Sequence, residues 1–125
     1  MPRRRILKTR FFRRWALDVG LTDTALLVAV DEIERGLMCA DLGGGIQKKR
    51  VGVPGRGRRG GARVLLATNK RDRWFFVFGF LKNQRANISP RELDALRELA
   101  HDLLALNGRQ IVVQTQNGAL EEIIG

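Results

Sequence analysis

The chain has 125 residues, 44% of them hydrophobic, and its 23 Lys and Arg residues outnumber 13 Asp and Glu residues to give a net charge of +10. This length suits one α+β domain with one core, which we expect to span residues 1–125. Because Cys39 is the only cysteine, the composition excludes a disulfide framework and a cysteine-based zinc site, and we expect a reducing, cytoplasmic location.

The N-terminal segment predicts a strand followed by two helices. Residues Arg5–Thr9 suit a short strand, and the residues after it form a helix with aromatic side chains on one side and arginines on the other. A second helix is capped by Thr22 or Asp23 and runs to Arg35. We expect both helices to pack on a sheet.

Three strand candidates follow and are joined by polar turns. They comprise Ile46–Val53, Ala62–Thr68 and Trp74–Lys82, which predict an antiparallel meander. Both alternating sets of the third strand are apolar, so that strand should lie in the interior of the sheet. Its hydrophobic run is too short to cross a bilayer, and we expect no membrane segment.

The C-terminal third predicts one clear helix and an ambiguous tail. Ser89, Pro90 and Glu92 form a capping box that opens a helix reaching about Leu106. The tail, residues 109–125, suits either a hairpin or a short helix that ends at Gly118 and precedes a strand. The order of elements favours the α+β class.

Positive charge is concentrated in the middle of the chain. Between Leu42 and Arg91 there are thirteen basic residues and one acidic residue, Asp72. Residues 16–41 sum to −5 and residues 92–125 to −4. Solubility alone does not require such segregation, whereas a polyanionic partner such as RNA or DNA does.

Strand periodicity predicts a cationic site on one face of the sheet. Lys48 and Arg50 point to one face of their strand and Lys49 to the other. Arg63 on the next strand and Lys82 at the end of the third can reach the region of Lys48. These four cations predict tight binding of a phosphate.

The same cations suit cleavage of RNA without metal. Attack of a 2′-OH on the adjacent phosphate requires a base, an acid and positive charge around the phosphorane, and Lys48 is the leading candidate for the base. The chain has no Walker A string and no acidic cluster near its basic centre, so we expect no metal or other cofactor. A non-catalytic phosphate-binding cleft would use the same residues, and the residues alone leave both hypotheses open.

Three stretches of sequence carry a resemblance to a known family. They read L-G-G-G-I-Q-K-K-R-V, then G-R-G-R-R-G-G-A-R-V, then F-V-F-G-F-L-K-N-Q-R-A-N-I. Together they resemble the RelE/HigB-type toxins of bacterial toxin-antitoxin modules, over nearly the whole chain up to the capped helix. The ordered set is more specific than any one stretch.

The resemblance implies a RelE-like fold, in which two N-terminal helices pack on a curved antiparallel sheet with a C-terminal helix. It implies a ribosome-dependent, metal-free endoribonuclease that cuts mRNA and inhibits translation, neutralised by a cognate antitoxin. The family's basic catalytic positions are matched by Lys48, Arg50, Arg63 and Lys82. To RNA contact we assign Lys49, Arg56, Arg58, Arg59, Asn83 and Arg85.

Two departures from the RelE pattern leave alternatives open. Asn83 stands where RelE has an arginine, and Arg85 is a substitute for that charge. The chain contains no tyrosine, so the stacking or acid-base role of a RelE tyrosine has no matching residue. The alternatives are a ParE-like toxin, which shares the fold and inhibits DNA gyrase, and a non-catalytic RNA-binding protein.

Overall fold

The computed structural model describes residues 4–55 and 61–124, and in these ranges four helices and six strands follow one another. The N-terminal elements have the expected order of one strand and two helices. The bounds are β1 Arg5–Thr9, α1 Arg10–Val19, α2 Asp23–Glu34, β2 Ala40–Gly43, β3 Ile46–Val51, β4 Ala62–Thr68, β5 Arg73–Leu81, α3 Pro90–Leu104, α4 Gly108–Gln116 and β6 Leu120–Glu122.

The strands form one sheet in the order β2-β3-β4-β5-β1-β6. The predicted meander is confirmed, because β3, β4 and β5 are antiparallel neighbours and β5 lies in the interior. The prediction of a purely antiparallel sheet is wrong, since β1 runs parallel to β5 and the sheet is mixed. Local hairpin signals do not report a pair as distant in sequence as Arg5 and Arg73.

Helices cover both faces of the sheet. On one face, α1 and α2 pack over a core that includes Phe12, Leu26 and Phe76. On the other face, α3 and α4 pack over a second core that includes Leu65 and Phe75. The sheet is therefore the middle of three layers.

The caps predicted for α2 and α3 are present, and Thr9 caps α1 as well. The side chains of Thr9 and Thr22 accept backbone hydrogen bonds at the starts of α1 and α2. Ser89 and Glu92 form the expected reciprocal capping box, with Pro90 in the first turn of α3. Each cap satisfies a backbone N–H that the helix itself leaves without a partner.

Two C-terminal and edge features extend the predicted order. The tail forms helix α4 and then strand β6, which pairs with β1, so the helix-then-strand alternative holds and the hairpin alternative is wrong. Strand β2 was absent from the prediction, and it pairs with β3 through a turn of three glycines at 43–45 that all have positive φ. Arg97 of α3 donates to the Leu42 carbonyl and secures this hairpin.

In the described ranges no helix has the length and apolar character needed to span a membrane.

Candidate nucleic-acid interface

One face of the sheet changes from apolar to basic along the strands. Where α3 covers it, β3 and β4 present Ile46, Leu65 and Ala67 to the core. Beyond α3 the same strands carry Arg50 and Arg63, which are paired directly across the β3–β4 ladder. Helix α3 thus leaves open the half of the face that the cations occupy, and we call this half the basic cleft.

Lys48 lies between the covered and the open half of this face. It pairs with Leu65 across the ladder and is half-buried. Its Nζ donates to Asn87 Oδ1 at 3.4 Å, which brings the loop that leads into α3 over the end of the side chain. The amide is a neutral partner, so the ammonium charge of Lys48 is not cancelled by it.

Arg63 is more enclosed than Arg50, the arginine that faces it across the ladder. It is half-buried, whereas Arg50 opposite is exposed. Burial lowers the pKa of the Arg63 guanidinium from its usual value, and the charge of Arg50 lowers it further. An anion between the two guanidinium groups would relieve this repulsion.

Arg85 forms a wall of the cleft through contacts that the sequence did not indicate. Its guanidinium lies 5.7 Å from the centre of the Phe78 ring and 5.5 Å from that of Phe80. It donates to both carboxylate oxygens of Glu92, and its Nε donates to the Asn87 carbonyl at 3.2 Å. The side chain is therefore held in one orientation on the same loop residue that receives Lys48.

The pair of Arg85 and Glu92 shifts both titrations. The Arg85 hydrogen bonds, with help from the Ser89 backbone N–H, lower the pKa of Glu92 from 4.5 to about 2. The same bonds raise the pKa of Arg85. The capping box in the sequence predicted that Glu92 caps α3. The ion pair of Glu92 with Arg85 depends on the fold of the loop before α3, and nothing in the sequence indicated it.

Lys82 and Asn83 follow β5 directly and are exposed. The Lys82 backbone N–H donates to the Gly61 carbonyl at 3.2 Å, which ties the end of β5 to the residues before β4. Arg63 lies two positions after Gly61, so Lys82 belongs to the rim of the basic cleft. Asn83 occupies the turn after it.

Lys49 lies on the opposite face of the sheet from Lys48. It is buried, with 7% of its surface exposed, and its Nζ lies 3.4 Å from a carboxylate oxygen of Glu32 on α2. It also donates to the Met38 carbonyl. Because these contacts commit Lys49 to the helix layer, we leave it out of the RNA-contacting set.

The segment between β3 and β4 contains three further candidates. Arg56, Arg58 and Arg59 lie outside the described residues. Their assignment to RNA contact therefore stays a prediction.

Apart from Glu92, which pairs with Arg85 at the wall of the cleft, the ion pairs of the described residues lie away from the cleft. Arg4 binds Asp31 and Glu34, and Arg5 binds Glu122. Across residues 4–55 and 61–124 no ion pair involves Lys48, Arg50, Arg63 or Lys82. The same ranges contain no group of three or more His, Cys, Asp or Glu residues suited to hold a metal ion. The cleft can bind and stabilise phosphate oxygens with its own cations.

A comparison with models of protein families gives a match that covers almost the entire chain. The family model described as the RelE toxin of the RelE / RelB toxin-antitoxin system matches residues 4–123. A search of curated proteins found no match. The matched range includes every residue of the basic cleft.

Proposed function

The chain belongs to the RelE toxin family of RelE/RelB toxin-antitoxin systems, and on this premise we propose that it is a ribosome-dependent, metal-free endoribonuclease that cuts mRNA and inhibits translation. Membership in the family implies an antitoxin as partner. The observation that carries the proposal is the basic cleft, where Lys48, Arg50 and Arg63 share one open face of the sheet.

The proposed chemistry begins with Lys48 as the base. In its neutral form, after loss of the ammonium proton to water, the amine takes the proton of a 2′-OH, whose oxygen attacks the adjacent phosphorus while the bond to the 5′-oxygen breaks. The products are a 2′,3′-cyclic phosphate and a 5′-OH, and the departing oxygen takes its proton from water. Asn87 supports this role because its side-chain amide positions the Lys48 Nζ.

Arg50, Arg63 and Lys82 form the proposed phosphate clamp. The crowded phosphorane carries more negative charge than the ground state, so fixed cations stabilise it preferentially. Arg50 and Arg63 face each other across the ladder, which supports contact of both guanidinium groups with one phosphate. The repulsion that lowers the Arg63 pKa is relieved by such an anion.

Contact with flanking RNA is proposed for Arg85 and Asn83. Arg85 presents a fixed planar group above Phe78 and Phe80, a surface suited to a base or a phosphate. Asn83 is exposed in the turn beside Lys82. Arg56, Arg58 and Arg59 are proposed for contact with mRNA or ribosomal RNA on sequence alone. Cleavage of mRNA on the ribosome requires that the protein be located where ribosomes are, which in bacteria is the cytoplasm.

The deciding experiment is induced expression in a bacterial host with mapping of transcript 5′ ends. Codon-phased cuts confined to translated regions support the proposal, and a Lys48→Ala/Arg63→Ala variant should remove both the cuts and the growth arrest. Growth arrest without such cuts would favour the gyrase-inhibiting alternative. Absence of arrest would favour a non-catalytic RNA-binding protein.

A further inference from the structure

Two rows of side chains lead from the basic cleft to a pair of aromatic rings on β5. Arg63, which faces Arg50 on β3, lies opposite Phe80 on β5. In the next row Leu65 lies opposite Phe78. Residues directly opposite each other in an antiparallel pair share one face of the sheet. Both rings therefore lie on the face of the cleft, on the strand next to that of Arg63.

The guanidinium of Arg85 lies over these two rings. It is 5.7 Å from the centre of the Phe78 ring and 5.5 Å from that of Phe80, distances typical of a cation in contact with an aromatic face. The Phe78 ring is itself stacked on Phe11, with centroids 6.0 Å apart and planes 7° from parallel. The rings thus give the planar guanidinium a fixed support, and we call Arg85 with Phe78 and Phe80 the Arg85 platform.

The charge of Arg85 already has a partner. Glu92 accepts hydrogen bonds from both terminal nitrogens, and the Asn87 carbonyl accepts one from Nε. Because the pKa of Glu92 is about 2, its carboxylate is ionised near neutral pH and would repel a phosphate at this position. The Arg85 side chain nevertheless has 38% of its surface exposed. What it offers to a ligand is therefore mainly its plane and not its charge.

We propose that the exposed face of Arg85 is a stacking subsite for a nucleobase of single-stranded RNA whose neighbouring phosphate lies between Arg50 and Arg63. The strands of Arg63 and Phe80 are about 4.8 Å apart, and the sugar of a nucleotide bridges a comparable distance between phosphate and base. The inference rests on the RNA-binding part of the proposed function and does not require cleavage. It extends that function by separating a contact with bases from the contacts with phosphates.

The combination of a planar surface and an anion-binding position selects this ligand. Bases of single-stranded RNA stack on guanidinium planes and on aromatic rings. No carboxylate of residues 4–55 and 61–124 pairs with Arg50 or Arg63, so the position for the phosphate is open. A nucleotide carries both a planar group and an anion, at a spacing that matches neighbouring strands.

The proposed subsite has a consequence for the choice of RNA sequence. Stacking tolerates any base, because every base has a face that can lie on a plane. The Arg85 platform therefore holds a nucleotide in position beside the cleft without reading its identity.

The test separates contacts with bases from contacts with phosphates. It compares two labelled oligomers of equal length, a single-stranded RNA and a ribose-phosphate chain without bases, both 2′-O-methylated so that neither can be cleaved. Fluorescence anisotropy measures their binding to the original chain and to Arg85→Lys, which keeps a positive charge beside Glu92 but lacks the plane. We expect Arg85→Lys to bind the RNA about 5- to 150-fold more weakly, the range for loss of stacking on one base. It should bind the chain without bases as tightly as the original protein does.

Three further variants serve as controls. Arg50→Ala removes a proposed phosphate contact and should weaken the binding of both oligomers. Arg71→Ala removes an exposed cation in the turn between β4 and β5 and should weaken neither. Circular dichroism shows whether each variant is folded, and Arg85→Ala provides the same comparison if Arg85→Lys does not fold.

Three results would overturn the inference. The first is unchanged binding of the RNA by folded Arg85→Lys. The second is an equal loss of binding for both oligomers, since Arg85 would then contact a phosphate or merely hold the loop at Asn87. In both cases a loss of binding in Arg50→Ala leaves the proposed function standing. The third is a failure of the original chain to bind the RNA, which would also remove the RNA-binding part of the proposed function.

Discussion

At the scale of single residues, the partners of three lysines separate structural from functional cations. Lys8 and Lys49 are both buried, and each lies within ion-pair distance of a carboxylate. Lys48 is half-buried and contacts a neutral amide. A neutral partner suits a cation that must bind a phosphate, because a carboxylate would compete with the phosphate. It also suits a lysine that must give up its proton, because a carboxylate would favour the charged form.

Removal of the proposed base and of one phosphate clamp should abolish cleavage. We expect Lys48→Ala/Arg63→Ala to cut translated mRNA at least about 1,000-fold more slowly, since it lacks both proton transfer and charge stabilisation. The measurement is the rate of cleavage of a ribosome-bound message. Arg71→Ala is the control, because Arg71 is an exposed cation in the turn between β4 and β5, and its rate should be unchanged.

Protonation of Glu92 should weaken the fold in acid. Its pKa is about 2 in the folded chain, against the usual 4.5, so the folded state favours the ionised form. The stabilisation is complete above about pH 4.5 and is lost as the pH falls towards 2. Urea unfolding at a series of pH values should show this loss. Glu92→Gln should be less stable near neutral pH and should lack that part of the acid dependence; an identical acid dependence in the variant would contradict the assignment.

At the scale of secondary-structure elements, the contact of α1 with β5 depends on one glycine. A Cβ built on Gly79 would lie 2.2 Å from the ring of Trp15, much closer than two carbon atoms approach each other. The missing side chain lets the indole of α1 lie directly on the strand. Periodicity predicted the aromatic face of α1, but it did not indicate the position of β5 on which this face rests.

Gly79→Ala should therefore destabilise the fold by overpacking. We expect a loss of about 1–3 kcal/mol in the free energy of unfolding, because the indole must move or the helix must shift. Chemical denaturation measures the loss. In a Trp15→Ala background the same substitution should cost clearly less, since the two residues are in contact, and equal costs in both backgrounds would show that the indole is not the cause.

The coverage of the sheet by α3 is the second relation between elements that matters for function. Its apolar stripe covers the first half of β3 and the second half of β4. The ends of these strands where Arg50 and Arg63 lie remain outside this helix. The capped start of α3, beside Arg85 and Glu92, forms the border between the two halves.

At the scale of the whole molecule, the pairing of charges explains the excess of positive charge in the cleft. Acidic residues of α2 and β6 neutralise cations of the N-terminal strand and helix. In the basic centre of the sequence, Lys49, Arg73 and Arg85 have carboxylate partners. No described residue forms an ion pair with the four cations of the cleft, Lys48, Arg50, Arg63 and Lys82. Positive potential is therefore concentrated on the face that α3 leaves open.

Binding of single-stranded RNA should accordingly weaken with salt. A cation that contacts a phosphate contributes about 0.7 to the slope of log K against log salt concentration. We expect Arg50→Ala to flatten the slope by about this amount and Arg71→Ala to leave it unchanged. Fluorescence anisotropy of a labelled RNA at several salt concentrations provides the measurement, and equal slopes for both variants would place Arg50 outside the phosphate contacts.

The degree to which the fold could be predicted follows from the range of the interactions involved. Caps and periodicity act within a few residues, so α2, α3 and β4 were predicted close to their observed bounds. Strand β2 was missed because its four residues, A-D-L-G, show no sustained alternation and its pairing comes from β3. The tail stayed ambiguous because β6 exists through its pairing with β1 at the other end of the chain.

The same distinction applies to the candidate site. A period of two along β3 was enough to predict that Lys48 and Arg50 share a face and that Lys49 does not. Lys49 was nevertheless assigned to RNA contact, because the sequence did not indicate that α2 would present Glu32 to it. Arg85 was assigned to RNA contact as the substitute for a missing arginine, and that role stays a prediction; its position on Phe78 and Phe80 depends on the loop fold.

By itself the sequence determined most of the elements, the segregation of charge and the family, because each is a property of residue types and their spacing along the chain. Only the tertiary structure decided the parallel pairing of β1 with β5, the limit of α3 on the sheet and the pairing of Arg85 with Glu92. These contacts join residues on separate elements, whose relative positions are set by the packing of the whole core. The basic cleft and the Arg85 platform beside it arise from that packing.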